Sequence, residues 1–465
     1  MTHWIRPGCQ TLAIGFSETQ YPLGARSTAL SWNLSLRDPA DLYGKTDNCS
    51  MLRPMKALRF PGRSRRMKDN EIVISADGHV QETDAMWERV PEPLRSQCAP
   101  SIESHPDGVL YHSLKKSELM DVEVMDGSGP EDRQREFRND PSGGTDLTLR
   151  RANQEADGVH AEVIFPNDLL DLGSRHDPEM NFGIARVYND WVFEIFAPAA
   201  TRCLPVAIIP TDEIEQAVVE TERCLAKGFR SVMLPCTNAW MPYDLPVYEP
   251  LWSLIEESGV PVNFHVFTAS VSFGADFAII ERMSNEDFTA RRSAAAPHIA
   301  EYRKESLATT VLGMAAGMSP LVHLTGGGVL ERHPDLRFII TEAEAGWLAW
   351  TLQAMDAMQA RRRLGLRTLP LKASEYFLRQ GAITFSDDDV AMTNIGFTGT
   401  DCLLWGNDYP HDEGTYPRSE DYRSQIRKSL DADQAQAVFS GNAARVYGFD
   451  LEALAHESSK EQGAA

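Results

Sequence analysis

Short, continuous apolar runs recur along the chain with helix-length stretches between them, and this alternation constrains the fold more than any other feature. The first run is Glu71-Ile72-Val73-Ile74-Ser75-Ala76-Asp77. Others follow at His160–Phe165, Leu204–Ile209, Ser231–Leu234, Val262–Val266, Phe338–Thr341, Ala382–Phe385 and Leu403–Trp405, eight candidate strands in all. Runs without polar alternation suit strands covered on both faces, as in a parallel sheet. Helices are expected over Asn181–Phe196, Glu249–Ser258, Leu321–Arg332 and Ala345–Arg362. Another is expected from an Asp212 cap to Ala226, with Gly228 as its stop. The pattern predicts an α/β chain built as one (β/α)8 TIM barrel rather than two open sheets. No Gly-rich phosphate loop follows the first strand, which opposes a dinucleotide-binding fold. Two long insertions, 98–155 after strand one and 267–319 after strand five, are placed to serve as lids.

Charge separates this barrel, residues 69–452, from its flanks. The whole chain carries −22, from 45 basic and 67 acidic residues. Residues 1–68 hold 11 Lys/Arg against 4 Asp/Glu, a net of +7, so the remainder carries −29. An acidic body opposes nucleic acid and anionic membranes as partners. The basic segment 1–68 reads as a disordered extension, an over-called start (Met51, Met55 and Met67 are possible initiators) or, more weakly, a transit peptide. Residues 453–465 read as a frayed tail. No run of 18 apolar residues occurs, so no membrane span is expected. The 7 cysteines include no CxxC pair, which fits a reducing compartment such as the cytoplasm.

Polar residues cluster at strand ends. Strand one ends Asp77-Gly78-His79, strand five contains His265, and strand eight runs into Gly406-Asn407-Asp408-Tyr409-Pro410-His411. In a barrel these ends converge on one mouth. Residues two apart on a strand face the same side, so Asp77 and His79 can share a target. Alone, Asp-Gly-His is a turn, a strand histidine is a core residue and Asn407-Asp408 is a helix cap. Together, two imidazoles and two carboxylates make a set for one divalent metal: Zn2+, with Mn2+ as competitor because half the donors are oxygen. His411, three residues past Asp408, is placed to orient it or to donate a proton, or is simply a loop residue. Core packing is expected of Trp191, a packed helix position of His323, and a helix end of His333.

The order of these pieces resembles the amidohydrolase-related group of the amidohydrolase superfamily, which contains aminocarboxymuconate-semialdehyde decarboxylase and related decarboxylases. The resemblance covers residues 72–449. It rests on Ser75-Ala76-Asp77-Gly78-His79-Val80 with Glu82 and Trp87, Lys227-Gly228-Phe229, Tyr248-Glu249-Pro250-Leu251-Trp252 and Pro261-Val262-Asn263-Phe264-His265. It continues through Gly327-Gly328-Val329-Leu330-Glu331-Arg332-His333-Pro334-Asp335-Leu336, Gly406–His411 and Gly441-Asn442-Ala443-Ala444-Arg445. The resemblance implies a distorted barrel with one catalytic divalent metal on Asp77, His79, His265 and Asp408. It also implies decarboxylation, or in some relatives hydrolysis, of a small cyclic or unsaturated carboxylic acid, and a homodimer.

This chain departs from the group in two places. Asp77 stands where many members have histidine, although some decarboxylases carry a carboxylate there. Glu342, in Ile340-Thr341-Glu342-Ala343-Glu344, falls where the group often has a histidine at the end of strand six. Glu342 and Glu344 read either as acid–base groups or as acids opening a helix. Strand four ends Met233-Leu234-Pro235 without a lysine, which favours one metal over a bridged pair. The expected reaction is metal-dependent decarboxylation, with Asp408, Glu342 or His411 delivering the proton. Hydrolysis of an amide, ester or carbon–carbon bond at the same site is the alternative, and a non-catalytic binding barrel the third.

Overall fold

A computed structural model of the chain describes residues 71–105, 108–112, 144–173, 177–236, 241–268, 311, 313–361, 368–411 and 414–462. The basic segment 1–68 and most of both expected lids lie outside the described residues. Each expected apolar run forms a strand: β1 (Ile74–Val80), β2 (Ala161–Pro166), β3 (Cys203–Pro205, resuming at Ala207–Ile208), β4 (Val232–Pro235), β5 (Val262–His265), β6 (Phe338–Thr341), β7 (Gly381–Phe385) and β8 (Leu403–Trp405). All pairings between neighbours are parallel and follow chain order. β3 joins the two halves of the sheet at Val206, whose N–H donates to Ile164 O at 3.0 Å, while Ala207 N–H donates to Ser231 O at 3.2 Å. At the other edge the chain just past β8 meets β1 through a parallel bridge between Gly78 and Tyr409. There His79 N–H donates to Tyr409 O at 2.6 Å and Asp408 N–H to Asp77 O at 3.0 Å. Eight parallel strands in sequence order, with the last brought round to the first, are the arrangement of a (β/α)8 barrel.

Strand side chains such as Val232, Phe264, Ile340, Ile383 and Leu404 are fully buried, as two-sided covering by helices requires. The helix Ile214–Lys227 stops where expected, at Gly228, whose φ of 112° only glycine adopts cheaply. Between β1 and β2 lies an antiparallel hairpin, Ser101–His105 with Gly108–His112. Among the described residues no helix is long and apolar enough to cross a membrane.

Four local expectations are corrected. Asp212 does not cap a helix; its carboxylate accepts both hydrogen bonds from the buried Asn181 amide, at 2.9 and 3.0 Å. A buried amide without a partner costs more than an uncapped, solvent-facing helix end. The helix expected over Leu321–Arg332 is two, Met318–Gly326 and Val329–Arg332, broken where Gly328 takes φ 76°. The one expected over Ala345–Arg362 spans Leu348–Gln359. Residues from Ala453, expected to fray, continue a helix from Leu451 to Gln462. Its Leu454 is fully buried, and Glu457 pairs with Arg202 at 3.1 Å.

Candidate metal centre

The C-terminal ends of β1, β5 and β8 bring the expected donors together. Asp77 and His79 share one side of β1, His265 ends β5, and Asp408 follows β8; none is more than 4% exposed. His79 Nε2 lies 3.6 Å from Asp77 Oδ1 and 3.2 Å from Asp408 Oδ1, and His265 Nε2 lies 3.4 Å from Asp77 Oδ1. Asp77, His79 and His265 form one cluster able to hold an ion; His79, Asp408 and His411 form a second, sharing His79.

Hydrogen bonds at the outer nitrogens fix the imidazoles. His79 Nδ1 sits 2.7 Å from Pro166 O, and His265 Nδ1 2.8 Å from Val266 O. A carbonyl only accepts, so each Nδ1 carries the proton and each Nε2 presents its lone pair inward. Burial, then the neighbouring His411, lowers the pKa of His79, keeping it neutral as a ligand must be. For Asp408, burial works to raise the pKa, but the neighbouring imidazoles of His411 and His79 overcome it and hold the carboxyl well below the usual range.

Whether a metal fits is decided by the inward atoms. Asp77 Oδ1, His79 Nε2, His265 Nε2 and Asp408 Oδ1 are all buried and make no hydrogen bond. Buried atoms left without partners are costly in a folded protein, and a divalent cation held by either cluster would satisfy the donors within it. The residues present therefore fit the group. Phe165 closes the back of the site, its ring centroid 4.9 Å from that of His265 and 6.2 Å from that of His79.

Among the described residues, left-handed backbone at non-glycine positions gathers at these strand ends. The non-glycine residues with positive φ are Phe267, Glu342, Glu344 and Asp408, all just past the ends of β5, β6 and β8. Glu342 does not open a helix; its Oε2 lies 3.4 Å from His265 Nδ1, beside the ligand candidate rather than among the donors. Glu344 also precedes the helix, and burial, then Asp388, pushes its pKa up to about 7. His411 stacks on His79, ring centroids 4.1 Å apart, with its Nδ1 2.9 Å from Asp408 Oδ1. His323 and His333 lie away from the centre, paired with Asp244 and with Glu249 and Glu256. Trp191 is buried in the core, as expected.

Sequence reasoning missed the residues that hold these donors. Ser75 Oγ donates to Asn407 Oδ1 at 2.8 Å and accepts from Asn407 N–H at 3.0 Å, while Asn407 Nδ2 donates to Asp157 Oδ2 at 3.1 Å. This ties the residue before Asp408 to β1. Arg150 Nη1 donates to His79 O at 2.8 Å, and its guanidinium pairs with Glu162 on β2. Gln81, Asn167 and Asp168 form a further chain to His411. The available signal was position: Gln81 and Asn167-Asp168 directly follow β1 and β2, at the mouth.

Comparison with known proteins agrees with this geometry. A family profile described as Amidohydrolase matches residues 152–449, almost two thirds of the chain. No curated protein matches the sequence. Similar solved structures include an amidohydrolase from Mycobacterium avium subsp. paratuberculosis K-10, with 17% identity, a TM-score of 0.60 and coverage of 82% of this chain and 100% of that one. The 5-carboxyvanillate decarboxylase of Sphingomonas paucimobilis has 19% identity, a TM-score of 0.57 and coverage of 82% and 99%. A dihydroxybenzoic acid decarboxylase from Polaromonas sp. JS666, solved with bound manganese and 2-nitroresorcinol, has 18% identity, a TM-score of 0.51 and coverage of 81% and 97%. At these identities the likeness concerns the fold, while the profile match carries the family. The chain is thus an enzyme of the amidohydrolase family, its barrel mouth carrying a possible His/Asp metal site.

Proposed function

We propose that the protein is a metal-dependent decarboxylase of a small cyclic or unsaturated carboxylic acid. It would work through one divalent cation, Zn2+ or Mn2+, on Asp77, His79, His265 and Asp408. The observation that carries this reading is the set of four buried, inward-facing donor atoms without hydrogen bonds. β4 ends Leu234-Pro235 and continues to Cys236, so no lysine stands where a bridge to a second metal would be anchored. Two of the similar structures are decarboxylases of hydroxylated aromatic acids, which favours that substrate class.

When bound, the cation supplies Lewis-acid stabilisation of the negative charge that develops as CO2 leaves. The remaining work falls to the chain. The carbon–carboxyl bond breaks, its electron pair stays on the substrate carbon, and a proton must be delivered there. His411 with Asp408, 2.9 Å apart, is the pair assigned to hold and hand over that proton. The Glu342 carboxyl, 3.4 Å from the outer nitrogen of His265, helps to orient that imidazole as a donor. Phe165 excludes water from the inner wall.

The test is a panel of hydroxybenzoates and unsaturated dicarboxylic acids assayed for CO2 release, beside amides, esters and lactones assayed for hydrolysis, with and without added Zn2+ or Mn2+. Metal-dependent CO2 release supports the reading. Metal-dependent hydrolysis without CO2 release replaces it with the hydrolase alternative.

A further inference from the structure

A directional hydrogen-bond chain runs from β1 and β2 to His411. Asp168 accepts with both oxygens: Oδ2 from Gln81 Nε2 at 3.0 Å, and Oδ1 from Asn167 Nδ2 at 3.2 Å. Both donors are amide nitrogens, so the carboxylate fixes which way both amides point. Gln81 therefore turns its carbonyl towards Asn167, whose Nδ2 donates to it at 2.7 Å. Asn167 in turn faces His411 with its carbonyl, Oδ1 lying 2.6 Å from His411 Nε2. Flipping either amide would set a carbonyl oxygen against a carboxylate oxygen. The platform is rigid: the Glu82 carboxylate accepts the backbone N–H groups of Asn167, Asp168 and Leu169 at 3.1, 2.9 and 3.3 Å. Gln81, Glu82 and Asp168 are buried.

We propose that Asn167 is a positioning residue which, oriented by Gln81 and Asp168, accepts the N–H of His411 Nε2 and so turns the Nδ1 edge, where the transferred proton is held, towards Asp408 and the reacting centre. Without it the ring is free to turn about its χ2 angle and to exchange tautomers, and half or more of its arrangements present the wrong nitrogen. The inference deepens the decarboxylase reading, because only there does His411 hand over a proton. The chain's effect on the tautomer holds whatever the reaction is.

The test uses zinc-loaded protein labelled with 15N-histidine, the His411 signals being assigned by their loss in His411→Gln. The expected result is a protonated Nε2 with a slowly exchanging proton in the parent. In Asn167→Ala that proton exchanges rapidly and the two nitrogens average. Zinc content should be unchanged, and kcat for CO2 release should fall about 10- to 100-fold, KM moving far less. Gln81→Leu, which leaves Asn167 in place but releases its amide, should give the same averaging more weakly, and it carries the test if Asn167→Ala fails to fold. A parent without a proton on Nε2, or variants that keep the parent signal and kcat, would overturn the proposal. Absence of CO2 release in the parent would overturn the decarboxylase reading instead, while the tautomer result would still decide the role of Asn167.

Discussion

Removing the Glu162 charge should destabilise the barrel by about 3–5 kcal/mol, the range for breaking a buried ion pair from one side. Arg150 and Glu162 are each 1% exposed and bonded at two points, Nη2 to Oε2 at 2.7 Å and Nε to Oε1. Burial works to lower the guanidinium pKa of Arg150, but the facing carboxylate outweighs it and raises the pKa, so the guanidinium stays charged. Charge centres about 4 Å apart at an effective dielectric near 20 attract by about 4 kcal/mol, which agrees with that range. In Glu162→Gln the guanidinium keeps its place between Phe196 and Tyr409, ring centroids 5.4 and 5.1 Å away, with no counter-charge. Arg150→Met strands the carboxylate and also takes the donor from His79 O. The double variant should therefore cost less than the sum of the singles, with a coupling of at least about 2 kcal/mol. The assay is urea unfolding followed by tryptophan fluorescence, with chelator present throughout so that metal binding adds nothing. A Glu162→Gln cost below about 1 kcal/mol, or simple additivity in the double variant, would refute the reasoning.

Other consequences follow from single contacts. His160 accepts the Val73 N–H on Nδ1 at 3.1 Å, and burial, then Arg202 and Arg423, lowers its pKa from 6.5 to about 4. Between those values the unfolded chain binds the extra proton, so stability present above pH 6.5 is lost as pH falls through 4, by about 3 kcal/mol. His160→Asn keeps an acceptor and should flatten that part of the stability–pH curve; an unchanged slope would contradict this. A Cβ on Gly406 would stand 2.5 Å from Asp77 Cβ. Gly406→Ala should therefore displace a donor, weaken metal binding at least about tenfold and cost about 1–3 kcal/mol, read by metal titration and thermal unfolding. Glu342→Gln should keep the metal but slow turnover about tenfold, and a parental rate would remove Glu342 from the mechanism.

What was legible in the sequence follows physical lines. β6 and β8 fall at the residues expected because a two-sided buried strand leaves an unbroken apolar run. Asp77, His79, His265 and Asp408 were legible because each stands next to such a run. Three features of structure were less so. Gly327-Gly328 lies within a stretch that reads as helix, and whether a glycine pair bends or breaks a helix is decided by packing. Leu454 and Glu457 read as polar tail until Arg202, far away in sequence, is seen beside them. Arg150 looks like a solvent-facing helix residue, because only tertiary contact reveals Glu162 beneath it. The Asn167 chain was hidden for the same reason: each amide is ordinary, and only their directions, set by Asp168, carry meaning.

The central claim is that Asp77, His79, His265 and Asp408 hold one divalent ion, and elemental analysis of protein purified without chelators tests it most directly. The account predicts about one equivalent of zinc or manganese in the parent, lost in both His265→Ala and Asp408→Ala while circular dichroism shows the fold intact. Metal retained at parental stoichiometry in both variants, or none in the parent even after incubation with Zn2+ and Mn2+, would contradict it.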